Sequence, residues 1–424
     1  MQFVSLQNII TVMDLFVIIT SLFAISTLFS YINARWIKLP GVIGVMLLAI
    51  IASIITLVAG KAIPRISGFI LELSGSIDFS KTLLDVLLGF LLFASAFHFD
   101  INKLRENLRG VLIISTIGVL ISTLLFTGMI FYTLQLMGLE IPIIYCLLFG
   151  ALVAPTDAVA VAALLKKSKM PARLEAIISG ESLFNDGIGI VLFITFLTLA
   201  ETPGSKFTIS TTAILFAQEV FGGLFLGAIL GWIAYKMMRS ITDFQTILLI
   251  SITLVMGITI ISGLIHVSAP LAVVAAGLLV GSHNFNKNEA LQSNDYLQQV
   301  WSLMDEVLNT ILFVLMGLQL VSIAFSANYI IIGLLSIPLL LISRGLSIIL
   351  PVVLVRRSLK LEYNSIFILT WGGLRGAISI ALALSLPDSP YRDTILTGSF
   401  FIVVFSIVVQ GLTLNKFVNK LVSE

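Results

Sequence analysis

"GALVAPTDAVAV", residues 150–161, stands inside an apolar run of 141–165 that is long enough to cross a bilayer. Pro155 has no N–H to donate and its ring clashes with the preceding turn, so a helix cannot pass through it unbroken. Two residues on, Asp157 puts a carboxylate at membrane depth, where a charge costs at least ~2.5 kcal/mol. Irregular backbone at that depth is tolerated only when buried in protein or lining a cavity. A second stretch, "WGGLRGAISIAL" at 371–382, repeats the interruption with Gly372, Gly373 and Gly376 as helix-weakening residues and Arg375 as the buried charge.

Around these two stretches the chain is apolar from end to end. It has 424 residues, 58% apolar and 11% charged, whereas soluble domains carry about 25% charged residues. Apolar runs recur at 12–33, 40–59, 80–98, 109–137, 141–165, 171–199, 210–236, 244–262, 264–283, 297–323, 327–354, 362–386 and 393–415. The expected fold is an all-α polytopic membrane protein with about 13 transmembrane helices. The cut between the eighth and ninth runs falls near Ser262–Ser268, and the polar stretch 64–78 is read as a surface helix or loop. No loop between spans is long enough for a soluble domain, so residues 1–424 are expected to form a single transmembrane domain. The first residues lack a basic n-region and a small-residue cleavage site, so the first run is expected to be retained.

Charge gives the direction. Of 24 Lys and Arg, 17 fall in one alternating set of loops and the C-terminus, and 5 in the other set with the N-terminus. Positive charge stays cytoplasmic, which places the N-terminus outside and the C-terminus in the cytoplasm of a multi-pass cytoplasmic-membrane protein. The remaining two, Arg344 and Arg375, lie within spans. A net charge of +2, spread over loops, gives no reason to expect nucleic acid. The single cysteine, Cys146, excludes an intrachain disulfide and is read as packing.

The two interrupted spans are 221 residues apart, and the spans that follow them keep that offset. The offset equals seven spans, an odd number, so the second copy runs the other way. Broken helices at matching places in two inverted halves mark a transporter site near the midplane. Residues 1–200 are the first six-helix repeat, 201–243 the linking helix and 244–424 the second repeat.

A third polar stretch, "GESLFNDGIG" at 180–189, lies within the sixth span. Asp186 and Ser182 are four residues apart and share a helix face, with Asn185 one step round, able to hydrogen-bond a carboxylate or the backbone. Asp157 stands at the start of a half-helix whose free N–H groups favour an anion, and the loosened backbone frees the Thr156 carbonyl to meet a cation. Carboxylate, hydroxyl and carbonyl oxygens are hard ligands suited to Na⁺. A cation binds such carboxylates only when they have lost their protons, so one site exchanges cation for proton. The ligand types admit Na⁺, Li⁺ and K⁺ alike.

Glu181 projects about 140° round the helix from Asp186 and is read as structural. Arg344 is its expected partner, since each would otherwise be an unpaired buried charge. Arg375, shifted by 221, falls on residue 154 beside the Pro-Thr-Asp break, where it can neutralise helix C-terminal dipoles. Asp85, Asp305 and Glu306 stand near span ends, as funnel lining or headgroup contacts. Glu219 lies deeper in its span with no assigned role. His98, His266 and His283 sit near interfaces, and Gly223, Gly227 and Gly231 read as a close-packing stripe.

The stretches "APTDAVAVAAL" (154–164), "GESLFNDGIGIVLF" (180–193) and "WGGLRGAISIALAL" (371–384), in this order, resemble the NhaP/NHE-type sodium/proton antiporters, and with thirteen spans the likeness covers nearly the whole chain. The resemblance implies the NhaA-like inverted-repeat fold with two broken crossing helices. It implies Asp157, Asp186, Ser182 and Thr156 as the Na⁺ and proton site, with Asn185, Glu181, Arg344 and Arg375 in support. The Asn-Asp pair at 185–186 implies the electroneutral branch, and family members are usually homodimers. One departure is Ala94 in "LLFASAF", where many bacterial relatives carry Glu.

The leading expectation is therefore a secondary active transporter, not an enzyme. It exchanges Na⁺ or Li⁺ for H⁺ by alternating access, needs no cofactor and serves pH homeostasis. A K⁺/H⁺ antiporter of the same fold is the alternative. Two remoter classes are a cation channel and an intramembrane aspartyl protease using Asp157 and Asp186 as a dyad. Neither "PTDA" nor "FNDG" resembles the Gly-x-Gly-Asp signature of such proteases.

Overall fold

The structure is a computed structural model that describes residues 6–59, 78–157, 161, 170–201, 209–282, 290–322, 326–354 and 363–422. Most of the expected 64–78 segment, and His283, lie outside them. Each of the thirteen expected spans contains helix: α1 (Leu6–Ile32), α2 (Gly41–Ala59), α3 (Phe79–His98), α4 (Ile101–Leu136), α5 (Ile143–Val153), α6 (Ala172–Glu201), α7 (Ile209–Arg239), α8 (Phe244–Ile265), α9 (Ala269–Gly281), α10 (Ala290–Leu318), α11 (Ala327–Leu354), the pair α12 (Tyr363–Trp371) and α13 (Ala377–Leu384), and α14 (Arg392–Leu421). Among the described residues ten helices are long and apolar enough to cross a membrane. Ile143–Val153 and Ala269–Gly281 are shorter apolar helices.

Local chemistry sets several boundaries. The Asp100 side chain accepts from the N–H groups of Asn102 and Lys103, so α4 starts at Ile101 and not at 109. Its first turns carry Lys103, Arg105, Glu106 and Arg109, which lower the hydropathy that marks a span. The cut between α8 and α9 falls where expected. His266 takes a left-handed conformation after Ile265, Ser268 caps the next helix, and Pro270 occupies its first turn.

The helices sort into two bundles. In one, α7 and α8 pack on α9, α9 on α3, and α10 on α1, α2 and α3. In the other, α4, α5 and α6 pack together and join α11 through α14. The expected packing role of the glycine stripe on α7 is met. A Cβ built at Gly227 would overlap the Ala272 carbonyl of α9, so only glycine allows this approach. The Ser268 N–H donates to the Glu219 carbonyl at 3.1 Å across the same interface, and the Glu219 side chain lies near His266. Cys146 is buried, in keeping with a packing role.

Fully buried Trp301 of α10 fixes α10 against α3, with Phe93 at 4.6 Å and Phe90 at 6.2 Å between ring centroids. Its indole N–H donates to Ser251 Oγ on α8. Both ring nitrogens of His98, at the end of α3, face carbonyl oxygens: Ala94 at 2.6 Å and Gln298 of α10 at 3.0 Å. These contacts make α3 and α10 one wall, and the other bundle faces it.

Candidate cation and proton site

Both expected breaks occur. Helix α5 ends at Val153, and residues 154–157 run on without helical form. Helices α12 and α13 are separated by Gly372–Gly376. The two unwound segments cross and are joined by a backbone hydrogen bond in which the Asp157 N–H donates to the Leu374 carbonyl at 2.7 Å. A Cβ on Gly376 would run into the Asp157 carboxylate, and one on Gly189 of α6 would overlap the Pro155 ring. These glycines let the broken segments approach each other and α6.

Thr156 is buried and turned toward α6. Its hydroxyl shares a 2.9 Å hydrogen bond with Ser182 Oγ and accepts from Asn185 Nδ2 at 2.7 Å. The Asn185 amide thus serves the Thr156 hydroxyl and not the carboxylate or backbone that helix geometry alone suggests. The reason is the break, which turns the Thr156 side chain toward α6 and brings its hydroxyl within reach of the amide.

A cavity of about 50 Å³ opens beside this network. That is room for an ion with a few waters. Asp157, Asp186, Thr156 and Ser182 line it on one side, with Gly376 and Ser379 of the second broken span. Leu88, Leu91, Leu92 and Ser95 of α3, with Asn309 and Leu312 of α10, form the facing wall. The cavity therefore lies between the two bundles, and the four residues read as cation ligands share it. Asp186 is buried and Asp157 half-buried. Among the described residues no group of three or more His, Cys, Asp or Glu could hold a metal ion.

Glu181 points away from the cavity and meets Arg344 of α11 through two contacts, Nη1 to Oε1 at 2.6 Å and Nη2 to Oε2 at 2.8 Å. Both side chains are buried. Arg375 is buried in the crossing itself. Its N–H donates to Ser406 Oγ at 2.8 Å and its Nη1 to the Gly373 carbonyl at 3.2 Å, while Nε and Nη2 have no hydrogen-bond partner among the described residues. Ser406 and Gln410 belong to a π-helical turn in α14 that also holds the last carbonyl of α12: Gln410 Nε2 donates to Trp371 at 3.0 Å. Arg375 thus sits at the carbonyl end of α12, near Asp186, Glu181 and Arg344.

Three cavity residues carry no signal in the sequence alone. Asn309 sits in the polar half of α10, Ser379 follows the glycine break among small residues, and Ser95 stands in an apolar run of α3. Ala94 is buried outside the cavity lining.

The model for the transmembrane region of sodium/hydrogen exchangers matches residues 23–420. The chain belongs to the sodium/hydrogen exchanger family. It is 39% identical over 412 residues to the Na⁺/H⁺ antiporter NhaP of Pseudomonas aeruginosa, covering 95% of this chain and 96% of that one. It is 29% identical over 414 residues to the Na⁺/H⁺ antiporter NhaH of Halobacillus dabanensis, covering 96% and 98%. Its fold matches that of the sodium proton antiporter MjNhaP1 of Methanocaldococcus jannaschii with a TM-score of 0.75 at 21% identity, over 97% of this chain and 100% of that one. This exchanger-family chain is therefore a multi-pass membrane transporter, not an enzyme. The channel and protease readings fall with that membership.

Proposed function

We propose that the protein exchanges Na⁺ or Li⁺ for H⁺ across the cytoplasmic membrane, one for one, with cation and proton competing for Asp157 and Asp186. The observation that carries this reading is the cavity between the bundles, which both aspartates line together with Thr156 and Ser182. An ion there is held by hard oxygens, with the Thr156 carbonyl as a further ligand, and leaves when protons take its place. The bundle bearing α5, α6, α12 and α13 moves against the α3–α10 wall, so that the cavity opens to one side and then the other. Glu181–Arg344 holds the moving bundle together, and Arg375 steadies the crossing. Relatives whose names specify Na⁺ favour Na⁺ over K⁺.

The same reading takes residues 1–200 and 244–424 as inverted repeats joined by 201–243. The 221-residue offset pairs Leu88 with Asn309, Leu91 with Leu312, Pro155 with Gly376, Thr156 with Ala377 and Asp157 with Ile378, and all ten line the cavity. The distribution of Lys and Arg supports an outside N-terminus and a cytoplasmic C-terminus. A homodimer through the α7 side completes it, where Phe221 and Phe225 are each 70% exposed.

Proteoliposomes with a trapped pH dye test the function. Na⁺ and Li⁺ are expected to drive proton movement, K⁺ far less, and clamping the voltage is expected to leave the rate unchanged. Equal response to K⁺ overturns the cation assignment. A rate that follows voltage overturns the one-for-one count.

A further inference from the structure

The wall facing the two aspartates is mostly apolar along α3, where Leu88, Leu91 and Leu92 meet the cavity and Ser95 brings one hydroxyl. On α10 a larger polar group stands there. Asn309 is buried and lines the same cavity, across from Asp157 and Asp186. Its amide has a fixed orientation. Nδ2 donates both to the Asp305 carbonyl at 2.9 Å and to Asp305 Oδ1 at 3.0 Å, one turn back on α10. Turning the amide over would set its oxygen against two other oxygens, so the hydrogen-bond network decides the assignment. With the amide nitrogen held by Asp305, the oxygen is left for the cavity.

From this geometry we infer that Asn309 Oδ1 is a cation ligand supplied by the α10 wall, and that Asp305 is the positioning residue that aims it. The inference rests on the proposed exchange at Asp157 and Asp186. A neutral amide oxygen is a hard ligand that adds no charge to a site already holding two carboxylates. It comes from the bundle that carries neither aspartate, so a bound cation takes oxygens from both bundles at once. Ion occupancy then draws the bundles together, and protonated carboxylates, which need no such bridge, leave them free to part. The wall that presents this oxygen is stiff, because Trp301 and His98 lock α10 to α3. The counterpart of Asn309 by the 221-residue offset, Leu88, has no oxygen to give, so at this pair of positions only the second half of the chain contributes.

Na⁺- and Li⁺-driven proton flux in proteoliposomes tests this, with thermal stability in detergent measured alongside. Asn309→Ala is expected to raise the half-saturating Na⁺ concentration about tenfold and to change the Na⁺-to-Li⁺ ratio, as loss of a ligand does. Asn309→Gln, which keeps a neutral amide oxygen and the N–H groups for Asp305, is expected to recover part of the affinity, and it serves also if the alanine variant fails to fold. Asp305→Ala is expected to shift half-saturation in the same direction by a smaller factor, and Asn309→Ala/Asp305→Ala to be no worse than Asn309→Ala alone. Unchanged half-saturation and selectivity in Asn309→Ala overturns the ligand role. Additive losses in the double variant overturn the positioning role. Wild-type protein that moves no protons with Na⁺ or Li⁺ defeats the exchange reading itself, whereas a working wild type with an indifferent Asn309→Ala defeats only this inference.

Discussion

Helix α6 carries two buried carboxylates five residues apart, and they have opposite surroundings. Glu181 is closed off: both of its oxygens meet the Arg344 guanidinium, inside one bundle. Asp186 opens on a cavity shared with the other bundle, and the cation near it, the Arg375 guanidinium, donates to the Gly373 carbonyl. A permanent partner makes a carboxylate part of the scaffold. A cavity in place of that partner leaves it for something that comes and goes.

The sharpest way to break this contrast is to neutralise each acid in turn. Asp186→Asn is expected to reduce Na⁺-driven proton flux in vesicles to the level of empty liposomes while the protein stays folded, because the amide keeps the shape and loses the exchangeable charge. Asp157→Asn is expected to do the same. Retained exchange in either removes that residue from the site. Glu181→Ala is expected to act on stability instead, lowering it by about 3–5 kcal/mol, since it leaves the Arg344 guanidinium buried and alone. Arg344→Ala is expected to match it, and the double variant to lose less than the sum of the two. Thermal unfolding in detergent gives the three values, and additive losses would dissolve the pair.

Arg375 sharpens the comparison at a smaller scale. Among the described residues its guanidinium makes one hydrogen bond, to the Gly373 carbonyl, and no carboxylate closes on it as Glu181 closes on Arg344. Arg375→Met is therefore expected to lower stability by only about 1–2 kcal/mol, less than Arg344→Ala. Equal losses in the same melting assay would mean that the two arginines do one job. The smallest effect belongs to Ser182→Ala. It removes the hydroxyl that bonds Thr156, a loss of about 1 kcal/mol, and is expected to raise half-saturating Na⁺ severalfold without abolishing flux.

Much of this is legible in the chain because membranes penalise what they do not need. Pro155, the glycines at 372–376 and the few charges at depth stand out against an apolar background, and Arg344 comes to Glu181 by need of a counter-charge. Relations between distant segments are not legible. Nothing in the sequence says that the Leu374 carbonyl receives the Asp157 N–H, or that the Asn185 amide serves a hydroxyl on the neighbouring broken span. Asn309 is hidden for a different reason. It shares the charged half of α10 with Asp305 and Glu306, where a polar residue attracts no notice until α3 is seen beside it. The start of α4 precedes its apolar run because the first turns are amphipathic, and hydropathy records only what the bilayer core holds.

The hydrogen bond from the Asp157 N–H to the Leu374 carbonyl ties the main chain of one interruption to that of the other. The bond couples the two interruptions, so a change of pitch on one side pulls on a stretch more than two hundred positions away. If the proposed exchange holds, an ion resting against Asp157 is gripped where two broken helices meet, and each stroke across the membrane is one that both take part in.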